Sequence, residues 1–243
     1  MYKNSQITVI IPAAGKGSRM GMDINKQYIE LAGIPILART LMFFDKSIFT
    51  DNIILVVNKE DIDYCNKEIV GKYKISKVKA VIAGGRERQE SCRNGIEAAA
   101  KVLEVAGMVE KGLLILHDGV RPFVTEDIFE NVLAAVEEWG AACACVSVKD
   151  TVKIVGTDNL IVDTPERSNL YNAQTPQGFK FDYIEDAYKK AEKNGYNATD
   201  DSALAEHYGY KVKIVNGSYE NIKITTKEDL DYARYLFEEQ IVG

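Results

Sequence analysis

The segment Ala13-Ala14-Gly15-Lys16-Gly17-Ser18-Arg19-Met20, followed closely by Asn25-Lys26-Gln27, sets a loop with almost no side chains beside two cations, Arg19 and Lys26. Such a loop can hold a nucleoside triphosphate. Ala13, Ala14, Gly15 and Gly17 let backbone N–H groups approach phosphate oxygens and a base edge, while Arg19 and Lys26 supply positive charge. Spacing excludes two familiar phosphate loops. No Gly-Lys pair is followed by Ser or Thr as a P-loop requires, and Met20 stands where a dinucleotide fingerprint needs its third glycine. Without the cations the same residues would read as a solvated strand-to-helix turn.

The loop needs a strand before it and helices to cover that strand. Ile7 to Ile11 is a short β-branched apolar run suited to a strand buried on both faces of a parallel sheet. Comparable runs recur at Asn52 to Val57, Val78 to Ile82, Gly112 to His117 and Ala144 to Val148. Between them lie segments of helical period, Pro35 to Phe44 and Arg88 to Val105, and a helix opening at Thr125-Glu126-Asp127-Ile128 with Thr125 as its cap. This alternation predicts parallel β-α-β units. Lys149 to Tyr171 breaks the rhythm: two strand-like pieces, Thr151 to Val155 and Leu160 to Val162, flank a hairpin-type turn, Gly156 to Asn159. An isolated ribbon is marginal in water, so it is expected to pack on a second subunit, the alternative being a hairpin lying flat on its own domain. No repeat or low-complexity linker interrupts residues 1–243, which read as one domain with a β-arm insertion at about 149–171.

Composition narrows the class. A 46% hydrophobic content with 27% charged residues is ordinary for a globular chain of 243 residues, and a net charge of −6 argues against a nucleic-acid-binding surface. Small phosphorylated ligands met by a local cluster of cations fit better. Cys65, Cys92, Cys143 and Cys145 form no C-x-x-C pair, and the chain has only His117 and His207, so no zinc site is indicated. Cys143 and Cys145 alternate as small side chains on one face of a strand. The N-terminus enters the first strand without the regions of a signal peptide, and no apolar run approaches about 18 residues, so a reducing cytoplasm is expected.

Four further clusters are expected at strand ends, where open α/β sheets bind ligands. They are Ala83-Gly84-Gly85-Arg86-Glu87-Arg88-Gln89-Glu90-Ser91; His117-Asp118-Gly119-Val120-Arg121-Pro122-Phe123; Arg167 with Asn172 to Phe179; and Asn221-Ile222-Lys223-Ile224-Thr225. A glycine turn, a proline-ended loop, a polar loop and an edge strand would explain them singly. Their joint occurrence points to a site.

Together with Lys26-Gln27-Tyr28 and Thr199-Asp200-Asp201-Ser202, this ordered series, from about Ile7 to Leu236, resembles the 2-C-methyl-D-erythritol 4-phosphate cytidylyltransferases of the non-mevalonate isoprenoid pathway. The resemblance implies a Rossmann-like, doubly wound, mostly parallel sheet with helices on both faces and a projecting β-arm that makes a homodimer. It implies transfer of a cytidylyl group from CTP to a sugar-alcohol phosphate with release of pyrophosphate. By the same resemblance, Ala13, Ala14, Gly15, Gly17, Gly84, Gly85, Arg88 and Ser91 would hold CTP, and Arg19, Lys26 and Lys223 would surround the α-phosphate. Asp118, Arg121 and Thr175 would meet the second substrate, and Thr151 and Arg167 would reach its phosphate in the neighbouring subunit's site. Arg86 stands where other members carry an acid, and is left out of the site.

The chemistry agrees with these roles. A phosphate monoester oxygen attacking the α-phosphorus brings two anions together, so neutralising charge and aligning the reacting atoms is the main requirement. The nucleophile is already ionised near neutral pH, and Mg²⁺, bound mainly through the triphosphate, assists the leaving group. Two other readings remain open: a ribitol-5-phosphate cytidylyltransferase, differing mainly in the alcohol pocket, and a nucleotide-binding regulator without turnover. Lys26 to Gly33 and His117 to Pro122 look more like the isoprenoid enzymes, and three cations on one phosphorus exceed what a binding module needs.

Overall fold

The first apolar run forms β1 (Gln6–Pro12), with Ile7 to Ile11 buried, as expected of a strand covered on both faces. The structure is a computed structural model and describes residues 2–15 and 25–242. The expected roles of Gly17 and Arg19 therefore lie outside the described residues. After β1 come a short antiparallel pair, β2 (Glu30–Leu31) and β3 (Ile34–Pro35), then α1 (Ile36–Lys46) and β4 (Asn52–Val57). Next are α2 (Ile62–Tyr64), which runs into a π-helical stretch Cys65–Gly71, β5 (Val78–Ala83), α3 (Arg88–Ala106) and β6 (Gly112–Leu116). The second half contributes α4 (Glu126–Trp139), β7 (Ala141–Ser147), β8 (Ile154–Val155), β9 (Ile161–Asp163) and β10 (Tyr171–Lys180). It closes with α5 (Phe181–Asn194), α6 (Asp201–His207), β11 (Lys213–Asn216) and α7 (Lys227–Val242).

Seven strands form one sheet in the order β11-β7-β10-β6-β1-β4-β5. Only β10 runs antiparallel to its neighbours in it. Helices α1 and α4 cover one face through Leu41, Phe44, Phe129 and Val132, and α3, α5 and α6 cover the other through Ile96, Leu103, Ile184 and Leu204. The sheet is thus doubly wound. A Cβ at Gly95 would lie 2.4 Å from Ile10 Cγ2, so glycine at that position lets α3 lie against the sheet and brings its first turn to the ends of the strands. Thr125 caps α4 as expected, accepting the Ile128 N–H through Oγ1 at 3.4 Å. A smaller cluster of Leu31, Ile36, Val120, Phe123, Ile224 and Leu230 packs α7 onto the segment after β6 and carries residues 222–224 with it.

Two parts differ from the sequence expectation. Asn172 to Phe179 was expected to follow a strand end, with a polar loop as the ordinary alternative, but these residues lie within β10, in the middle of the sheet. The register of β10 on β7 shifts between Ala173 and Gln177, and this bulge is where a strand tolerates Pro176, which has no N–H to donate. The first hairpin strand, β8, is shorter than the expected Thr151 to Val155, and β9 keeps the expected length but lies one residue later than Leu160 to Val162; their register breaks between Ile154 and Val155. Gly156 and Asn159 still form the turn: the Gly156 N–H donates to Leu160 O at 2.9 Å and the Asn159 N–H to Gly156 O at 3.1 Å. This ribbon pairs with no strand of the main sheet among the described residues, and exposes Ile154, Val155, Leu160, Ile161 and Val162.

Candidate active site

Strands β1, β5 and β6 end on the same edge of the sheet, and the chain reverses its direction of winding between β1 and β6, the position where open α/β sheets form a ligand crevice. A cleft of ≈ 190 Å³ lies there. Pro12, Ala13, Ala14 and Gly15 line it from the end of β1, Gly85, Arg86 and Glu87 from the turn after β5, Arg88 and Ser91 from the first turn of α3, Asp118 and Val120 from the loop after β6, and Lys26, Gln27 and Lys223 from elsewhere.

The small-residue wall is held from several sides. The Ala13 N–H donates to Val56 O at 2.7 Å, and buried Gln27 donates Nε2 to Ala13 O at 2.9 Å. At Gly84 a Cβ would lie 2.6 Å from Ala14 Cβ and 2.7 Å from Ser91 Oγ, so glycine is what lets the two turns meet. Ser91 Oγ accepts the Gly85 N–H at 3.0 Å and donates to Glu87 O at 3.1 Å, while Glu90 folds back to accept the Arg86 N–H at 2.8 Å. The first turn of α3 is therefore ordered by its own side chains.

Asp118 is the electrostatic centre. Its Oδ2 lies 3.1 Å from Lys223 Nζ and 3.2 Å from Arg121 Nε, and its Oδ1 lies 3.7 Å from Arg88 Nε. Burial pushes this carboxyl's pKa up, but Lys223, Arg88 and Arg121 together outweigh burial and hold it well below the usual carboxylate range. Arg121 also donates Nη1 to Asn221 O at 2.7 Å, and the Ile224 N–H donates to Val120 O at 3.0 Å. These bonds dock the C-terminal loop beside β6 and carry Lys223 into the cleft. Behind them, the Asp118 N–H donates to Thr175 Oγ1 at 3.1 Å, which the bulge in β10 sets beneath the loop.

The structure thus brings Ala13, Ala14, Gly15, Lys26, Gly85, Arg88, Ser91, Asp118 and Lys223 to one cleft. Gly84, Arg121 and Thr175 stand just behind its wall. Thr151 and Arg167 do not line the cleft in a single chain: Arg167 lines a separate depression at the base of the hairpin, where its Nη1 donates to Lys149 O at 3.1 Å. Arg86, set aside on sequence grounds, does line the cleft, because the turn after β5 faces it whatever side chain it carries. Sequence reasoning gave Gln27 no role of its own. Gln27 sits in a quoted motif, but its amide acts on a backbone oxygen 14 positions away, which no local pattern encodes.

An open, mostly parallel sheet with a cation-lined, small-walled cleft at the carboxyl ends of its strands defines an α/β nucleotidyltransferase. Residues 7–239 match the 2-C-methyl-D-erythritol 4-phosphate cytidylyltransferase family, and the chain belongs to it. Proteins of that name from Clostridium botulinum (strain Eklund 17B) and Geobacter metallireducens are 46% and 44% identical to it, over 95% and 97% of this chain and 98% and 99% of theirs. The crystal structure of 4-diphosphocytidyl-2C-methyl-D-erythritol synthase from Anaerococcus prevotii superposes with a TM-score of 0.82 at 36% identity, covering 96% of each chain. The cytidylyltransferase from Francisella tularensis superposes with a TM-score of 0.78 at 31% identity, covering 95% of this chain and 99% of that one.

Proposed function

We propose that this chain transfers the cytidylyl group of CTP to 2-C-methyl-D-erythritol 4-phosphate, giving 4-diphosphocytidyl-2-C-methyl-D-erythritol and pyrophosphate in isoprenoid precursor synthesis. The observation that carries this reading is the meeting, in one cleft of a chain of this family, of a small-residue wall with Lys26, Arg88, Lys223 and Asp118. Ala13, Ala14, Gly15, Gly84, Gly85 and Ser91 suit a pyrimidine nucleoside, since a close wall of backbone and methyl groups leaves a larger purine no room. Arg88 lies on the same side. Lys26 and Lys223 flank the α-phosphate, and Arg19 joins them in this reading although it lies outside the described residues.

The phosphate oxygen of the alcohol substrate attacks the α-phosphorus, a new P–O bond forms, and the bond to the β-phosphate breaks as pyrophosphate leaves. Lys26 and Lys223 stabilise the charge that develops on the α-phosphate oxygens. Lys223 is held ready by Asp118, which offers the ammonium a partner until the anionic substrates arrive. Asp118, Arg121 and Thr175 form the floor beneath the alcohol. Mg²⁺, when bound through the triphosphate, neutralises charge on the leaving pyrophosphate. The cleft would suit a metal carried in by the nucleotide, because the oxygens of Asp118 face Lys223, Arg121 and Arg88.

The exposed apolar ribbon supports a homodimer in which each hairpin packs on the other subunit and brings Thr151 and Arg167 to its alcohol phosphate. Residues 1–243 then act as one nucleotidyltransferase domain with this arm as its insertion. A cytoplasmic location suits the buried thiols of Cys65, Cys92, Cys143 and Cys145, and no described helix is long and apolar enough to cross a membrane. Pyrophosphate release measured side by side with CTP plus methylerythritol phosphate and CTP plus ribitol 5-phosphate tests the reading. Turnover with the first and little with the second is expected; the reverse would transfer the assignment to the ribitol enzyme, and CTP binding without turnover would favour a regulator.

A further inference from the structure

A second carboxylate, behind the cleft, is devoted to Arg88. Asp201 is 1% exposed and does not line the cleft. Its Oδ2 accepts from Arg88 Nη2 at 2.7 Å and its Oδ1 accepts from Tyr188 Oη at 2.5 Å. Arg88 is thereby held between two acids, with Nη2 on Asp201 and Nε turned toward Asp118 at 3.7 Å. A planar guanidinium engaged on two edges keeps one rotamer.

Asp201 is not needed to start its own helix. The cap of α6 is Asp200, whose Oδ1 accepts the Ala203 N–H at 2.7 Å and whose Oδ2 accepts from Gln177 Nε2 at 3.0 Å. Asp201 points the other way, toward α3 and α5. Burying a carboxylate is unfavourable unless it is paired and hydrogen-bonded, and Arg88 and Tyr188 together supply both requirements. Burial and the adjacent Asp201 raise the Tyr188 hydroxyl far above its ordinary pKa, so it remains a donor. Asp201 also sets the charge pattern of the cleft. Arg88 faces the same Asp118 that holds Lys223 at 3.1 Å and Arg121 at 3.2 Å. Released from Asp201, Arg88 would compete with both for that carboxylate.

We propose that Asp201, supported by the Tyr188 hydroxyl, is a positioning residue for the nucleotide: it fixes Arg88 on the CTP side of the cleft and limits its contact with Asp118 to the long Nε pairing at 3.7 Å. The inference rests on the cytidylyltransferase reading for the identity of the nucleotide. It acts through Arg88 alone, and that distinguishes it from a purely structural contact between α3, α5 and α6.

A double-mutant cycle on the intact enzyme tests it, with CTP affinity measured by calorimetry and steady-state kinetics alongside. Asp201→Asn is expected to weaken CTP about tenfold and raise its KM to match, with kcat changed less than about threefold and the KM for methylerythritol phosphate less than about twofold. Arg88→Ala should weaken CTP at least as much, and Asp201→Asn should add nothing further in the Arg88→Ala background. Tyr188→Phe, which keeps the ring that packs the core, should move the same parameter by about threefold, and it carries the test if Asp201→Asn does not fold. Losses that multiply in the double variant, or a fall in kcat with CTP affinity unchanged, would overturn the proposal. A parent enzyme that binds CTP but turns over neither alcohol phosphate would overturn the assigned reaction and leave this cycle readable, and one that binds no CTP would overturn both.

Discussion

His117 Nε2 lies 3.0 Å from the carbonyl oxygen of Arg121. A carbonyl only accepts, so Nε2 carries the proton and Nδ1 is left as an acceptor. The Thr175 hydroxyl, 3.1 Å away, therefore donates to Nδ1, and its oxygen is free to accept the Asp118 N–H. One neutral imidazole, wholly buried, thus orients the loop that holds the central carboxylate of the cleft.

This relationship gives the protein a pH dependence of stability. Burial lowers the His117 pKa from 6.5 to about 4. The folded pKa lies below the unfolded one, so the unfolded chain takes up the proton first as pH falls. The histidine's contribution is complete above about pH 6.5 and is lost progressively down to about pH 4, a total on the order of 3 kcal/mol. Urea unfolding between pH 7.5 and 4.5 should show this decline, and His117→Gln should remove that part of it while lowering stability at pH 7.5. Identical pH slopes for the two proteins would show that His117 is not held neutral.

Removing a cation from the reacting phosphorus should affect the rate more than binding. Lys26→Ala and Lys223→Ala are each expected to cost about 2–4 kcal/mol of transition-state stabilisation, roughly 30- to 1,000-fold in kcat, with CTP affinity altered far less. Near-parental turnover at saturating CTP would remove the residue from the α-phosphate.

The small-residue wall predicts a steric result. Ala14 already touches the turn at Gly84, where a Cβ would come within 2.6 Å of its methyl, so a leucine side chain at position 14 must extend into the cleft. Ala14→Leu should abolish CTP binding with the circular dichroism of the fold retained. The parent enzyme should prefer CTP to ATP and GTP, and equal turnover with a purine triphosphate would contradict the pyrimidine pocket.

The hairpin predicts sites shared between subunits. Ile161→Glu on its exposed apolar face should shift the sedimentation of the enzyme from dimer to monomer and lower its activity. Arg167→Ala should chiefly raise the KM for the alcohol phosphate. Mixing Arg167→Ala subunits with Lys26→Ala subunits should restore part of the activity, because one site of the mixed dimer then carries neither defect. Mixed dimers without recovery would place Arg167 outside the partner's site.

Local pattern was enough to locate β1, β4, β5, β6 and β7 and the helices α1, α3 and α4. Ile7 to Ile11, Asn52 to Val57 and Gly112 to Leu116 are continuous apolar runs, and such runs have few stable alternatives to a sheet covered on both faces. The Gly84-Gly85 turn, the Ala13-Ala14-Gly15 loop, Lys26, Asp118 and Lys223 were singled out as well, by their joint occurrence and by the family resemblance, since each cluster alone has an ordinary structural explanation. Tertiary structure decided what local pattern does not encode. Gln174 to Gln177 did not read as a strand because a polar, proline-containing stretch lacks strand periodicity, yet the bulge between β7 and β6 accommodates it. The pairing of Asp201 with Arg88 spans 113 residues, and that of Arg121 with Asn221 spans 100. Such contacts exist only once the sheet has set α3, α6 and the C-terminal loop around one edge, because a charged side chain announces that it needs a partner but the fold alone decides which partner is within reach.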